Sequence, residues 1–351
     1  MTAHDSPSDP TRSPDPATSA EPPCPYCGAT GAVPLWRDIA DRLGIAPGLW
    51  EFRDCAGCGS ALLRPVPREA DLLSYYPPAY SFATGLDAGS RLKRCLSALE
   101  YALFYRPMYR ADARKVVRNT RGSAISRGRM LDVGCGRGMR LFAFRRLGYE
   151  VFGTDFQPEV VESLRTQWGI PAVCVDVNNL DQVFEKKSFD IVTAYHVIEH
   201  VPDVSGLLRK CHALLKPGGW LAVAVPLRDS LQAAWFKSRW AGATEAPRHV
   251  SIPSREGLRE VFRAVGFPEV SIVPDSLLNC AAVLALSLLP HSTTPVAYGE
   301  RRAGAVLMRL LAGFATLFAI PYCWLENHVY RRPACGIVFA RKPLKANEDL
   351  A

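Results

Sequence analysis

The chain has 351 residues, with 48% hydrophobic and 22% charged side chains and a formal net charge of +8 at pH 7. This composition excludes a wholly disordered chain and allows one large domain with attachments. The positive charge suits an anionic substrate, nucleic acid or an anionic lipid surface, and equally an arginine-rich solvated surface. Nucleic acid is the least expected partner, because no Lys/Arg block is interleaved with aromatic residues.

The N-terminal stretch 1–23 is rich in Pro, Ser, Thr, Ala and Asp and has almost nothing apolar to bury, which predicts a disordered tail. It lacks the basic and apolar regions of a secretory signal, so we expect a cytoplasmic protein. Residues 344–351 are predicted to form a second, short tail.

Two C-x-x-C-G sequences follow the N-terminal tail. In each, two thiolates on a tight turn can bind one edge of a metal ion, so the two pairs together form a tetrahedral zinc site. The four predicted ligands are Cys24, Cys27, Cys55 and Cys58. Because all four are cysteines and no water position remains, we expect structural zinc in a zinc ribbon over 24–64. A redox pair and chance spacing are the alternatives.

Residues 65–124 are aromatic and interrupted by prolines, as in Tyr75-Tyr-Pro-Pro-Ala-Tyr80, and then become rich in arginine. We predict an ordered connector with a helical segment around 89–118. This segment either covers a ligand cleft as a cap or packs on the central sheet.

The most informative segment begins the main domain, which is predicted over 125–343. Met130 to Gly138 is typical of a buried strand, a glycine-rich turn and the start of a helix. The glycines at 134, 136 and 138 (Gly134, Gly136, Gly138) let the backbone turn sharply and approach a ligand. Asp155 ends the next apolar strand, where a carboxylate can accept hydrogen bonds from both ribose hydroxyls of a nucleoside.

Two residues indicate that the ligand carrying this nucleoside is S-adenosylmethionine and not a dinucleotide. The dinucleotide fingerprint requires a glycine at 139, where this chain has Met139. Asp132, just ahead of the loop, would repel a pyrophosphate at close range, but it suits a ligand with an α-amino group and a sulfonium.

Strands and helices alternate regularly from residue 129. This spacing indicates βαβ units, and therefore an α/β fold with a parallel, doubly wound sheet of the Rossmann type. Strands are predicted near 130–133, 151–155, 173–176, 189–194, 220–225, 270–273 and 336–340. Helices are predicted near 138–147, 158–168 and 204–215, and from Ser254 to Val265. Lys216-Pro-Gly-Gly219 is predicted as a helix stop and a turn into the next strand.

An apolar helical insertion over 277–330 precedes the last strand. Its first run, 277–290, is too short to span a bilayer, and its second, 303–325, is interrupted by Arg309 and Pro321. Two hypotheses remain open. The insertion is either a hairpin that enters the inner membrane leaflet between flanking arginines, or a pair of helices that form a substrate lid or a homodimer surface.

The motifs, taken in order, resemble those of the class I S-adenosylmethionine-dependent methyltransferases. The glycine loop is followed by Phe189-Asp190, His196-Val-Ile-Glu-His200-Val-Pro-Asp203 and Leu214-Leu-Lys-Pro-Gly-Gly219. This order is similar to that of the ubiquinone-pathway O-methyltransferases and the deoxysugar C-methyltransferases, over about 125–275 and the last strand. The sugar enzymes also carry a cysteine-paired zinc segment before the catalytic domain. Their large C-terminal domain has no counterpart in this sequence, which weakens an assignment of the same substrate.

This resemblance implies a seven-stranded sheet whose last strand is antiparallel. It also implies roles in cofactor binding. Asp132 and the glycine loop would hold the methionine part, Asp155 the ribose, and Asp176 the adenine amino group. At the end of a strand, Asp176 can equally cap the turn that follows.

The candidate acceptor site lies beyond the fourth strand of the main domain. Methyl transfer requires alignment of the acceptor with the methyl group, and a hydroxyl or carbon acceptor must also lose a proton to a base. His196, Glu199 and His200 are the catalytic candidates, because strand carboxyl ends border the ligand crevice. His249 is another candidate base, since Pro247-Arg248-His249 resembles a Pro-x-His element of the family. Alternatively, His200 caps a turn, or the set binds a metal, although its spacing is not His-Glu-x-x-His.

Three functions are compatible with these features. The leading hypothesis is a methyltransferase that acts on a nucleotide-linked sugar, a lipid-linked sugar or a quinone-like phenol. The second is an RNA methyltransferase whose zinc ribbon binds nucleic acid, but Ala194-Tyr-His-Val197 stands where amino-methylating enzymes carry Asn/Asp-Pro-Pro-Tyr/Phe. The third is a non-catalytic scaffold that binds S-adenosylmethionine at a membrane. Peripheral contact with the inner membrane face remains open.

Overall fold

A computed structural model describes residues 22–76, 106–120, 128–289 and 305–344 of the chain. The two predicted tails, 1–23 and 344–351, fall almost entirely outside these residues. The middle of the connector and the segment between the two apolar runs of the insertion also lie outside them.

Strands and helices alternate through most of the described residues. The strands are β1 (Ala32–Ile39), β2 (Trp50–Cys55), β3 (Ala61–Arg64), β4 (Arg129–Val133), β5 (Glu150–Asp155), β6 (Ala172–Cys174), β7 (Phe189–Tyr195), β8 (Leu215–Pro226), β9 (Ser251–Ile252), β10 (Val270–Pro274) and β11 (Cys335–Arg341). The helices are α1 (Glu69–Ser74), α2 (Arg106–Thr120), α3 (Met139–Arg146), α4 (Pro158–Trp168), α5 (Leu180–Val183), α6 (Val204–Leu214), α7 (Leu231–Phe236), α8 (Ala241–Thr244), α9 (Arg255–Ala264), α10 (Leu277–Leu288) and α11 (Ala305–His328).

The main domain is built on a seven-stranded sheet in the order β10-β11-β8-β7-β4-β5-β6. The pairs from β8 to β6 are parallel. The last strand, β11, runs antiparallel to both of its neighbours, β10 and β8. The α/β, Rossmann-like fold with an antiparallel last strand is therefore confirmed.

Two element boundaries differ from the sequence expectation. β8 begins at Leu215, directly after α6, so residues 216–219 form an irregular first part of the strand and not a turn before it. β6 ends at Cys174 and not at 176, because Asp176 already caps the 3₁₀ turn Val177–Asn179.

The central sheet is buried on both faces, because side chains alternate across each strand. On β4, Met130 belongs to the apolar cluster that α3 and α4 cover, whereas Leu131 and Val133 belong to the cluster under α6 and α9. This double burial explains why the parallel strands are nearly continuous apolar runs in the sequence.

The cysteine-rich region forms a smaller sheet in the order β1-β2-β3-β9. Its fourth strand, β9, comes from the main domain, and Ser251 and Ile252 pair with Leu62 and Ala61 of β3. The Tyr26 hydroxyl also lies 2.9 Å from Ser251 Oγ. The ribbon region is thus joined to the main domain by a shared sheet.

The apolar insertion forms two helices that pack on each other. Cys280 and Leu284 of α10 are buried in one cluster with Ala319 and Cys323 of α11. Pro321 lies inside α11. Among the described residues, no helix combines the length and apolar character needed to cross a membrane.

Candidate active site

The turn between β4 and α3 adopts the backbone conformation that its glycines predict. The φ angles of Gly134, Gly136 and Gly138 are +65°, +49° and +69°. An added Cβ at Gly134 would come within 2.7 Å of Val197, and one at Gly138 within 2.5 Å of Leu164. At Gly136 it would meet nothing within 4 Å. The loop is therefore packed on two sides and open at Gly136, as a ligand cradle requires.

Asp155 ends β5 beside this loop and is buried. Its carboxylate accepts hydrogen bonds from the backbone N–H groups of Gly136, at 2.9 Å, and Gln157, at 3.0 Å. Burial raises the pKa of Asp155, and these N–H groups act in the opposite direction. Because each carboxylate oxygen has a further lone pair, the group can still accept from ribose hydroxyls.

Asp132 is buried at the end of β4 and has a partner that the sequence did not predict. Arg140 of α3 places Nη1 3.5 Å from Asp132 Oδ2 and lies 3.4 Å from the ring centre of Tyr195. The Thr193 hydroxyl donates to Asp132 Oδ1 at 2.5 Å. Burial raises the pKa of Asp132, and the charge of Arg140 opposes that effect. Since Arg140 partly balances its charge, Asp132 attracts a cationic ligand less than the sequence alone indicates.

Asp176 follows β6 and caps the turn after it. Its Oδ1 accepts from the N–H of Asn178 at 2.7 Å, at the start of a 3₁₀ turn. This is the structural role that the sequence left open beside adenine recognition. The second carboxylate oxygen remains available, so the two roles are compatible.

The described part of the connector packs on α3, the helix that follows the glycine loop. Its helix α2 makes this contact, where the Arg140 guanidinium is 5.9 Å from the ring centre of Tyr109. Asp112 of α2 is buried, and burial together with the neighbouring Asp275 raises its pKa to about 7. The connector thus contributes buried side chains to this side of the molecule.

Four of the predicted site residues meet beyond β7, and we term His196, Glu199, His200 and His249 the histidine cluster. His196 has a φ of 55°, a left-handed conformation that costs a non-glycine residue about 1–3 kcal/mol. Its Nδ1 lies 3.2 Å from Glu199 Oε1, and its Nε2 lies 3.2 Å from Asn279 Nδ2 of α10. The cluster therefore joins the end of β7 to the apolar insertion.

His196 and Glu199 are hydrogen-bonded through Nδ1 and Oε1, and they form an ion pair when the ring is protonated. Although burial disfavours the charged ring, the carboxylates of Glu199 and Asp275 raise the pKa of His196 above its ordinary value. Burial alone would raise the pKa of Glu199, but His196 lowers it. Glu199 is fully buried, so its negative charge acts in a poorly screened environment.

His200 and His249 contact each other with ring centres 4.7 Å apart. Each Nδ1 faces a backbone carbonyl oxygen, at 3.0 Å from Arg248 for His200 and at 2.7 Å from Gly242 for His249. Because a carbonyl only accepts, each Nδ1 carries a proton and each Nε2 keeps a lone pair. Burial lowers the pKa of both rings, that of His200 to about 3. Both rings are therefore neutral bases near pH 7.

The position of His200 depends on a buried ion pair with the ribbon region. Arg248 is fully buried, and its Nη2 lies 2.6 Å from Asp41 Oδ1 and 3.2 Å from Glu245 Oε2. The Asp41 carboxylate also accepts from backbone N–H groups in the loop that follows it. Burial would raise the pKa of Asp41, but Arg248 and these N–H groups lower it. Arg248 thereby has a fixed main chain, whose carbonyl orients His200.

The glycine loop contacts the segment that carries the histidine cluster. Val197, which follows His196, closes on Gly134 so tightly that a Cβ there would lie 2.7 Å from it. Tyr76 bridges the two sides, because its hydroxyl lies 2.9 Å from His200 Nδ1 and its ring centre 5.3 Å from that of Phe156. The two groups therefore lie side by side at the carboxyl ends of parallel strands, where ligands bind in open α/β sheets.

Several residues that hold the cluster in place were not among the predicted site residues, namely Asp41, Tyr76, Arg248 and Asn279. Arg248 had a signal, its place beside His249, and Tyr76 lies in a noticeable aromatic run. The other two carry no local motif. Asp41 is 207 residues from Arg248 in the chain, and Asn279 is 83 residues from His196.

The four predicted zinc ligands converge in the ribbon region, with their sulfur atoms all within 4.8 Å of one another. The Sγ–Sγ distance is 3.7 Å for Cys24 and Cys58 and 3.5 Å for Cys27 and Cys55. Tetrahedral Zn–S bonds of about 2.3 Å would place sulfurs about 3.8 Å apart. The donor set therefore fits a zinc ion.

A second group of candidate metal ligands lies inside the histidine cluster. Glu199, His200 and His249 have ligand atoms within 4.8 Å of one another. In the part of the chain that the structure describes, Glu199 Oε2 is buried without a hydrogen-bond partner. These groups have the chemistry either to receive a proton or to bind a divalent cation.

Comparison with known proteins agrees with this geometry. A family model described as a methyltransferase domain matches residues 105–272. The ubiquinone biosynthesis O-methyltransferase of Rhodopseudomonas palustris (strain TIE-1) is 34% identical over 139 residues, which are 37% of this chain and 55% of the relative. The enzyme of the same name from Xanthomonas campestris pv. campestris (strain B100) is 41% identical over 102 residues, which are 28% of this chain and 43% of the relative.

A solved SAM-dependent methyltransferase from Archaeoglobus fulgidus aligns with 69% of this chain and 99% of its own, at 19% identity and a TM-score of 0.42. The chain spans about half the length of the curated relatives it matches. Residues 105–272 therefore match a methyltransferase domain, the class of protein that the motifs resemble. This match includes neither the cysteine pairs nor the apolar insertion.

Proposed function

We propose that the chain transfers a methyl group from S-adenosylmethionine to a hydroxyl group of a small-molecule or glycan acceptor. The observation that carries this proposal is the contact of Gly134 in the glycine loop with Val197, the residue that follows His196 of the histidine cluster. It brings a cofactor cradle and neutral bases into one cleft. The name of the relatives, ubiquinone biosynthesis O-methyltransferase, supports an oxygen acceptor. A carbon acceptor on a deoxysugar is the alternative, and it would need a base in the same place.

The residues that would bind the cofactor are assigned by their fit to the parts of S-adenosylmethionine. S-adenosylmethionine, when bound, supplies a methyl group made electrophilic by a sulfonium. The open side of the loop at Gly136 and the carboxylate of Asp155 would hold its methionine and ribose parts. Asp132 would act from below the loop together with its partner Arg140, and Asp176 would face the adenine amino group.

His200 is the proposed base. Its proton on Nδ1 is directed to the carbonyl oxygen of Arg248, which leaves Nε2 free to take the hydroxyl proton of the acceptor. The buried carboxylate of Glu199 would stabilise the resulting imidazolium, and His196 holds that carboxylate in place. His249 is only 7% exposed, so it is the less accessible of the two bases and would support His200.

The cysteine set would hold a structural zinc ion. Its knuckles pack directly on the main domain, because Ser254 Oγ donates to the carbonyl oxygen of Cys58 at 2.5 Å. Zinc would thereby stabilise β3 and its pairing with β9. That strand follows His249 closely, so the metal would support the acceptor site through the fold and not through chemistry.

A divalent metal ion in the histidine cluster is the second candidate arrangement for the same reaction. The observation that favours it is the buried, unpartnered Oε2 of Glu199 beside His200 and His249. A mild chelator distinguishes the two, provided that zinc content is measured in parallel. Lost turnover with zinc retained, followed by rescue with Mg²⁺ or Mn²⁺, would assign the cluster to a metal. Unchanged turnover would leave His200 as the base.

The acceptor class is tested with methyl-labelled S-adenosylmethionine and a protein-free extract of the source cells. The products are separated into an organic phase, an aqueous small-molecule fraction and RNA. Label in the organic phase would indicate a phenol or lipid-linked sugar, and label in the aqueous fraction a nucleotide-linked sugar. Label confined to RNA would contradict the proposal. Cofactor binding without label in any fraction would favour the scaffold hypothesis.

A further inference from the structure

Helix α11 presents one exposed face without charged residues. Between Leu311 and Leu325 the sequence contains no Asp, Glu, Lys or Arg. Large apolar side chains on this stretch are strongly exposed, including Leu311 at 43%, Phe314 at 57%, Leu317 at 45%, Phe318 at 82% and Leu325 at 42%. Their spacings of three, four and seven residues place them on one side of the helix. We term these five residues the apolar face.

The opposite side of α11 packs against the rest of the domain. Ala319 and Cys323 are buried against α10, at 5% and 0% exposure, so the apolar face points away from the domain. Helix α9 shows the usual arrangement at a water surface, because it buries Leu258 while its exposed residues include Glu256 and Arg263. An exposed apolar surface of this extent marks a binding surface and not a solvent face.

Aromatic rings lie beside the apolar face, and exposed cations follow them closely in the chain. Trp235 is 64% exposed, and its ring centre lies 5.3 Å from that of Tyr322 on α11. The exposed Lys237 and Arg239 follow Trp235, and the exposed Arg331 follows α11 itself. Trp and Tyr rings favour the boundary between membrane and water, and Lys and Arg attract anionic lipid headgroups.

We propose that the apolar face of α11 docks on the surface of an anionic lipid membrane. A second copy of the chain suits this face less well. It would bring the same cations, and residues 305–325 offer no acidic side chain to pair with them. Because no described helix can cross a membrane, α11 would lie in the plane of the surface with its apolar face in the headgroup and acyl boundary.

Docking in this way would bring the acceptor site close to the membrane. Helix α10 packs on α11, and its Asn279 lies 3.2 Å from His196 of the histidine cluster. An acceptor carried by a lipid tail would then reach the cleft from the membrane surface. This consequence rests on the proposed methyl transfer, whereas the docking itself does not.

The docking is tested by flotation of the full-length protein with vesicles at low salt. One set contains phosphatidylcholine and phosphatidylglycerol, and the other phosphatidylcholine alone. The variant combines Phe314→Ser and Phe318→Ser. The matched control combines Val33→Ser and Val183→Ser, which remove exposed apolar side chains, at 58% and 40% exposure, far from α11 in the chain. Thermal midpoints and turnover of a water-soluble acceptor are measured on the same preparations.

We expect the wild type and the control to float with anionic vesicles, and the apolar-face variant to partition roughly tenfold or more weakly, because its two phenyl rings no longer leave water. Lys237→Gln with Arg239→Gln should reduce the preference for phosphatidylglycerol. Thermal midpoints and soluble turnover should not change. Absence of wild-type flotation, or equal flotation of variant and control, would overturn the proposal. A variant that alters only the oligomeric state would assign the face to a second copy. Flotation without methyl transfer would refute only the proposed function.

Discussion

The glycine loop and the histidine cluster lie side by side but are built in different ways. The loop is local, since Gly136 and its partner Asp155 are 19 residues apart and the turn follows from glycine conformations. The cluster is assembled over long distances, with His200 held by Arg248, 48 residues away, and Arg248 by Asp41, 207 residues away. A change far from the chemistry should therefore damage the cluster and leave the loop intact.

Asp41→Asn is expected to have the largest effect on stability and turnover, because it acts on the histidine cluster and not on the glycine loop. The substitution removes one of the two carboxylates that balance the buried Arg248, while Glu245 remains beside it. We expect a loss of about 3 kcal/mol in the free energy of unfolding, at the low end for a broken buried pair. Turnover should fall with it, while the folded protein keeps its affinity for S-adenosylmethionine. Urea unfolding measures the stability, a methyl-transfer assay the turnover, and titration calorimetry the affinity for S-adenosylmethionine.

The control for this variant is Asp71→Asn. Asp71 pairs with Arg68 on the exposed surface of the connector, and such a pair contributes little to stability. Equal unfolding midpoints for the two variants would show that the Asp41 pair does not support the cluster.

His200→Ala is expected to have the next largest effect, and this effect should be confined to the chemical step. Loss of a general base lowers kcat by roughly a hundredfold or more. Cofactor affinity should be unchanged, because no described contact links the His200 ring to the glycine loop directly. His212→Gln is the control, since His212 packs on Phe267, with ring centres 4.9 Å apart, outside the cluster. Unchanged kcat in the His200 variant would remove this residue from the mechanism.

Substitutions of Asp155 and Asp176 distinguish the proposed ribose contact from the proposed adenine contact. Asp155→Ala should weaken binding of S-adenosylmethionine roughly ten- to a hundredfold, because a buried charged acceptor that also holds the Gly136 N–H is lost. Asp176→Ala should have a smaller effect, since Asp176 is only partly buried and already caps a turn. Titration calorimetry of both variants provides the comparison. A greater loss for Asp176 would place the main polar contact at the adenine instead of the ribose.

The smallest effect near neutral pH concerns the pH dependence of stability, because the stability linked to His200 is lost only at acidic pH. Burial, with His249 and Arg248 nearby, lowers the pKa of His200 to about 3, and an unfolded histidine titrates near about 6.5. Between these values the unfolded chain binds the extra proton. The stability linked to His200 is therefore present above about pH 6.5 and falls as the pH decreases, by up to about 1.4 kcal/mol per unit.

The pH effect is measured by urea unfolding at a series of pH values, with His200→Gln as the comparison. Glu199 favours the charged ring, and His249 titrates in the same direction as His200, so the variant should lose part of the slope and not all of it. Identical slopes in the two proteins would show that His200 is not held in its neutral form by burial.

Much of the fold could be predicted because its signals are local. Strand and helix boundaries from residue 129 onward were close to those observed, since alternating apolar runs and glycine stops depend on neighbours in the chain. The start of β8 was wrong, because Lys216-Pro-Gly-Gly219 is typical of a turn, whereas the strand already begins at Leu215, which pairs with Phe189 of β7. The partner of Asp132 was missed for a related reason, since Arg140 is ordinary in a helix until α3 packs on the sheet.

The sequence by itself determined the class of fold, the glycine loop, the strand-end carboxylates and the four cysteines that converge. These features depend on backbone conformations and short spacings, which each segment carries with it. Only the tertiary structure decided that the ribbon shares a sheet with the main domain, that Asp41 holds Arg248, and that Asn279 reaches His196. Such contacts join segments with no common pattern. Their geometry exists only after burial has removed the groups from water and left each polar atom to find a partner in the protein.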